Sequence, residues 1–246
     1  MAREATFTWY GHACVEVQTP GGKVIQIDPW YGNPKSPKAA SAVQACDIML
    51  VTHGHSDHVG DSIEIAHRTQ PEAWPAIHEL SLWLGSQLPD HDRIIGMNKG
   101  GTVRVGEISV TMPRAEHSAG GWSDAAHAPL HLGAPVGFVV ELEDGFRFYH
   151  AGDTDVFGDM ELIRKVHQPE IAFLPIGGHY TMDPHSAALA VELLGVRHVV
   201  PIHYGTFPIL AGTPDELRHE LDHRGLSRVR VHALKPGETL RVSDLR

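Results

Sequence analysis

Three uninterrupted apolar runs constrain this chain more than any other feature. Asp47–Thr52 (DIMLVT), Ile171–Pro175 (IAFLP) and Arg197–Ile202 (RHVVPI) lack the polar–apolar alternation of a half-exposed strand. Runs of this kind belong to strands buried on both faces, so the sheet that holds them must be covered on both sides. Helices to do the covering are expected near Asp61–Arg68, Glu79–Gln87, Met160–Val166, Pro184–Leu194 and Pro214–Arg224. Further strands are expected at Thr6–Tyr10, Ala73–Ile77, Thr102–Val105 and Ile108–Pro113, with two more at the end of the chain. Turn residues predict two hairpins. Pro20-Gly21-Gly22 joins Ala13–Gln18 to Lys23–Asp28, and Glu143-Asp144-Gly145 joins Val136–Leu142 to Arg147–His150. Tyr31–Pro37 and Ser118–Pro135 read as loops.

Each half of the chain opens with strands and continues with strand–helix alternation. That order predicts two similar halves, each a sheet with helices on its outer face, packed sheet to sheet. No linker or repeat interrupts the sequence, so residues 1–246 are expected to form one domain.

Composition narrows the partners. The net charge of −10 gives no general attraction to phosphate backbones or anionic lipid, which disfavours nucleic acid. No stretch approaches the roughly 20 apolar residues that span a bilayer. The first residues lack the basic and apolar regions of a secretory signal. Only Cys14 and Cys46 are present, too few for a disulfide framework, and both are expected as buried reduced thiols of a cytoplasmic protein. The 19 histidines, several times ordinary usage, point to metal or acid–base chemistry.

Those histidines gather where apolar strands stop. DIMLVT runs straight into His53, His55, Asp57 and His58. The strand ending at Pro113 leads to His117, the one ending at His150 leads to Asp153, and RHVVPI leads to His203. Side chains just past the carboxyl ends of neighbouring strands converge on one sheet edge. In an extended segment or tight turn His53 and His55 point the same way and share one ion, with Asp57 and His58 turned toward a neighbouring position. Imidazoles with carboxylates and no thiolate suit Zn²⁺, Mn²⁺ or Fe²⁺. A solvated histidine-rich loop is the plain alternative.

The run HGHSDHVGD at residues 53–61 resembles the HxHxDH signature of the metallo-β-lactamase superfamily. His117, Gly152-Asp153-Thr154 and His203 look like that superfamily's remaining metal-binding motifs in order. The resemblance covers nearly the whole chain. It is closest to compact metal-dependent hydrolases related to ascorbate-6-phosphate lactonases and N-acyl-phosphatidylethanolamine phospholipase D, on the segments WYGHACVEV, IDPWYGNP, AGDTDVFGDM, PIGGHYTMDP and PIHYGTFP.

The resemblance implies a four-layer αββα sandwich and two divalent metal ions, zinc first, with manganese or iron as alternatives. His53, His55 and His117 would hold one ion, Asp57, His58 and His203 the other, and Asp153 would bridge them. Two metals roughly 3.5–4 Å apart share a water and lower its pKa from about 15.7 toward 7. The hydroxide so formed would cleave a small ester, lactone or amide, with Asp57 also orienting it. A phosphodiesterase on a small or lipid-derived phosphodiester is the alternative. An iron-dependent persulfide-type dioxygenase on His53, His117 and Asp153 ranks lower, and a non-catalytic metal-binding protein lowest. The expected partner is a small-molecule substrate, with no nucleic acid and no stable membrane insertion. A homo-oligomer stays open.

Other residues carry weaker signals. His179 follows a buried strand and is a candidate to protonate a leaving group or bind substrate, against the plainer reading of a loop histidine. His12 and Asp28 are balanced between supporting the ligands and ordinary structural duty. Trp122, in a glycine-rich loop, is the best candidate for an apolar substrate contact. His127 and His131 share that loop and are expected to overhang the site, and Tyr204 is expected to pack. The remaining histidines, His91 and His150 among them, are expected on the surface or in the core.

Overall fold

The computed structural model describes residues 4–88, 92–124 and 126–246. His91 lies outside the described residues. The chain begins with β1 (Thr6–Trp9), β2 (Val15–Gln18), β3 (Val24–Ile27) and β4 (Ile48–Leu50), then α1 (Ser56–Val59) and α2 (Ser62–Thr69). It continues through β5 (Trp74–Ile77), α3 (His78–Gln87), β6 (Ile94–Met97), β7 (Thr102–Val105) and β8 (Ile108–Thr111). Next come β9 (Gly120–Ser123), β10 (Ala128–His131), β11 (Phe138–Glu141), β12 (Arg147–His150) and α4 (Met160–His167). The last third holds β13 (Ile171–Pro175), α5 (Pro184–Leu194), β14 (His198–Ile202), α6 (Pro214–His223), β15 (Arg230–Val231) and β16 (Glu238–Arg241).

Two sheets carry the fold. One has the order β16-β1-β2-β3-β4, and an isolated bridge from Ile48 to Ala73 leads on to the parallel pair β5-β6. The other has the order β15-β14-β13-β12-β11-β8-β7 and is parallel from β12 to β15. The expected halves are right in kind, but two boundaries differ from the sequence reading. Strands β7 and β8 join the second sheet, where β8 registers Val110 against Val140 of β11. Strand β16 returns to the first sheet and closes the β1 edge, with Leu240 opposite Phe7.

Alternation along each strand sorts side chains into layers. Phe7 reaches from the first sheet to Phe148 and Phe173 of the second, with ring centroids 5.2 and 5.5 Å away. Burying a phenylalanine fully contributes about 1.5–3 kcal/mol, and all three are fully buried. The neighbours Tyr149, Ala172 and Leu174 point the other way, into a core shared with Met160 of α4, Val191 of α5 and Leu217 of α6. Ile65 of α2 and Leu80 and Leu84 of α3 cover the first sheet. Helix, sheet, sheet and helix make the four-layer sandwich.

Two local expectations need correction. Ser118–Pro135 is not all loop, because β9 and β10 pair as a hairpin within it. Strand β6 lies outside the expected elements, and it pairs with β5 in parallel. Of the extended and turn forms open to HGHSDH, the structure has a helical turn, α1, from Ser56. Both cysteines are buried and free, as expected.

Candidate metal centre

The carboxyl ends of β4 in the first sheet and of β8, β12 and β14 in the second deliver His53, His117, Asp153 and His203 to the same edge of the sandwich. His53 Nε2 lies 2.9 Å from His55 Nδ1. Gly54 between them is required by space, because a Cβ there would stand 2.6 Å from Leu132 Cδ1. The α1 turn then aims Asp57 and His58 at a second position. Asp153 Oδ2 is 3.2 Å from His58 Nε2, 3.1 Å from His203 Nε2 and 3.6 Å from His117 Nε2. Asp57 Oδ2 is 3.9 Å from Nε2 of both His58 and His203.

The donors fall into three overlapping groups, each with atoms within 4.8 Å of one another. His53, His55 and His117 form the first. Asp57, His58 and His203 form the second together with His12. His53, His58 and Asp153 form the third, which joins the other two. All seven residues expected as ligands therefore meet at one edge.

Asp28 braces two of the candidate ligands, His58 directly and His53 through Thr52. It is fully buried at the end of β3 with φ of 44°, left-handed backbone that few residues other than glycine adopt. Its Oδ1 accepts from Thr52 N at 2.7 Å. Its Oδ2 accepts from the Thr52 hydroxyl at 2.7 Å and from His58 Nδ1 at 2.7 Å. The Thr52 oxygen in turn lies 3.0 Å from His53 Nδ1. Both imidazoles thus give their Nδ1 proton to this network and turn Nε2 toward the centre. Thr52 drew no attention in the sequence reading. Its signal was its place directly before His53.

The donor set fits cations. Nε2 of His58 and of His203 and Oδ1 of Asp153 are buried, with no hydrogen-bond partner among the described residues. Buried polar atoms without partners are costly unless something charged meets them. The electrostatics agree. Burial disfavours the His203 imidazolium, but Asp153 outweighs it and raises the pKa to about 9. His58 is likewise raised against burial, by Asp153 and Asp28. Burial also opposes ionisation of Asp57 and Asp153. For Asp57 the hydrogen bond from His12 and then the nearby His203 and His58 win, and for Asp153 His58 and His203 do, so both carboxyls stay well below their ordinary range. Such a site gathers positive charge.

Known proteins resemble this chain over most of its length. The sequence model described as "Beta-lactamase superfamily domain" matches residues 23–204. The chain belongs to the metallo-β-lactamase superfamily. It is 46% identical to a UPF0173 metal-dependent hydrolase of Koribacter versatilis, over 94% of this chain and 96% of that one. It is 43% identical to a UPF0173 metal-dependent hydrolase of Roseiflexus castenholzii, over 98% of each. The structure of Igni18, a metallo hydrolase of Ignicoccus hospitalis, superimposes with a TM-score of 0.82 at 34% identity, covering 97% of this chain and 98% of that one. This member of the superfamily is a metal-dependent hydrolase.

The weaker candidates separate within the superfamily fold. His12 is buried, and its Nε2 lies 2.9 Å from Asp57 Oδ2. Burial, only partly offset by Asp57, lowers its pKa to about 4. His179 is exposed, stacks edge-on with Tyr180 at 4.4 Å, and borders a cavity of about 420 Å³ together with Asp183 and Glu220. None of its contacts among the described residues reaches the cluster. His127 and His131 lie exposed in the β9–β10 segment. That hairpin meets the metal loop through Leu132 against Gly54, and Trp122 on it is 60% exposed. Tyr204 packs on Trp9 with rings stacked at 5.4 Å. His150 is a core residue, its Nε2 donating to Ala13 O at 3.1 Å, just ahead of β2. Among the described residues no helix is long and apolar enough to cross a membrane.

Proposed function

We propose that this hydrolase cleaves a small organic ester, lactone or amide and works with two divalent cations, zinc in the first instance. His53, His55 and His117 would hold one, Asp57, His58 and His203 the other, and Asp153 both. The observation that carries this reading is the position of Asp153 Oδ2, within 3.6 Å of imidazoles from three separate segments. When bound, the pair supplies Lewis acidity and a water acidified toward neutral pH.

The protein's own groups do the rest. Asp57 is 31% exposed, so its carboxylate can accept a hydrogen bond from an attacking water while His12 holds its other side. Asp28 and Thr52 keep His53 and His58 in one tautomer. Trp30 and Phe207 stand beside His12, with centroids 5.1 and 6.3 Å from its ring, and Phe207 is 42% exposed. An exposed phenylalanine backed by a half-buried tryptophan next to the reacting groups suits a substrate with an apolar acyl or aryl group. His179, exposed after β13, is the proposed proton donor to the leaving group, reached through substrate rather than through the cluster.

The test is a metal assay joined to a substrate panel. Two ions per chain are expected, with turnover of a phenyl ester or a lactone that is lost with chelator and restored by Zn²⁺ or Mn²⁺. Fast cleavage of bis(nitrophenyl) phosphate without ester turnover would overturn the substrate class. One iron per chain with oxygen consumption would overturn hydrolysis at a metal pair.

A further inference from the structure

His12 touches two members of the second donor group by two different routes. Its Nε2 meets Asp57 Oδ2 at 2.9 Å, and its backbone carbonyl accepts from the backbone N–H of His203 at 2.9 Å. The same carbonyl accepts from the Trp9 indole at 2.9 Å, and His12 Nδ1 meets the Thr206 hydroxyl at 2.9 Å. The ring lies 3.8 Å from that of His203, centroid to centroid. We propose that His12 is a positioning residue that locks Asp57 and His203 into one geometry and so sets how tightly the second cation is held. The inference rests on the two-cation reading above.

Three observations separate this role from that of a ligand or a packing residue. First, His12 Nε2 is hydrogen-bonded to Asp57, whereas Nε2 of His58 and of His203 has no hydrogen-bond partner among the described residues and faces Asp153. An ionised carboxylate only accepts, so Nε2–H donates to Asp57, and in the neutral ring Nδ1 accepts the Thr206 proton. Second, the backbone is bent to place this residue. His12 has φ of 52° and Gly11 before it φ of 94°, where a Cβ would stand 2.7 Å from Asn33 Oδ1. Left-handed backbone at a residue other than glycine costs free energy and persists where its surroundings demand it. Third, His203 and Thr206 come from one loop after β14, so a single segment supplies a ligand and the hydroxyl that orients the residue behind it.

The experiment is a titration of metal-free protein with Zn²⁺ and with Co²⁺, reading stoichiometry, the two affinities and the Co²⁺ absorption bands. His12→Ala is expected to weaken the second ion by about 10–100-fold, the range for partners behind a ligand, and to leave the first unchanged. His12→Gln keeps an N–H donor toward Asp57 and is expected to recover part of the loss. Thr206→Val removes only the orienting hydroxyl and is expected to lie between wild type and His12→Ala. A general loss of packing would lower the unfolding temperature and leave the ratio of the two affinities alone, which would overturn the inference. Wild-type affinity for both ions in Thr206→Val and His12→Gln, together with a wild-type second site in His12→Ala, would overturn it as well. If His12→Ala does not fold, the other two variants decide. A wild type that binds a single ion would instead sink the two-cation reading itself.

Discussion

Strand β14 has a histidine at each end, and the two live under opposite rules. His203, past its carboxyl end, faces Asp153 and is raised to about 9 against burial. His198, at its amino end, pairs through Nδ1 with His232 Nε2 at 3.0 Å. There burial first, and then Arg230 and Arg197, push the His198 pKa down. His232 falls to about 4 through burial, His198 and Arg230. The amino end also has space. Two adjoining cavities of about 560 Å³ each share Arg197, His198, Leu245 and Arg246. Neither paired histidines nor a cavity beside them therefore marks the reactive edge. Carboxylates among the imidazoles do, because only they make a buried cluster attract cations.

Removing the carboxylate should break this contrast most severely. In Asp153→Asn, hydrolysis is expected to fall by about 10³-fold or more, the loss of several kcal/mol of transition-state stabilisation. In the metal-free variant, burial of His203 is no longer opposed by Asp153. Its ring should then titrate well below about 9, with Asp57 alone left to oppose burial, as NMR of the imidazole would show. A His203 that stays high would mean that Asp153 is not what distinguishes the two ends. Asp28→Asn is the milder change. Isothermal titration should show both ions weakened by about 10–100-fold, since His58 loses its carboxylate acceptor and so does the Thr52 hydroxyl that meets His53.

The sequence spoke clearly where local chemistry decides structure. Helix α5 begins and ends as read because Asp183 caps Ser186 N, Pro184 opens the first turn and Gly195 ends it with φ of 60°. Helix α6 starts in a capping box between Thr213 and Glu216. The ligands were legible for a related reason: an apolar strand ends at each, and chain order brought the strands together. What stayed hidden depends on partners far away. Strand β6 is Ile94–Met97, whose partial burial gives weak alternation, and its identity comes from pairing with β5. Strand β9 begins Gly120-Gly121 and β10 holds Pro129, so their hairpin is visible only as backbone pairing. The work of His12 needed Thr206, 194 residues away. No spacing rule reaches that far.

The arginine edge supplies the gentlest test of the contrast. His232 has its folded pKa near 4, below its ordinary 6.5, so folding disfavours the proton there. A depressed histidine contributes stability that is fully present above 6.5 and is lost as pH falls toward 4. His232 is only half-buried, so solvent screening limits this contribution to about 1 kcal/mol or less. Urea midpoints of wild type and His232→Gln, measured at pH 7 and again near pH 4.5, isolate it. Wild type should lose more stability than the variant on acidification. The reverse order would mean that His232 gains a proton on folding, as His203 does, and the two ends of β14 would then follow one rule.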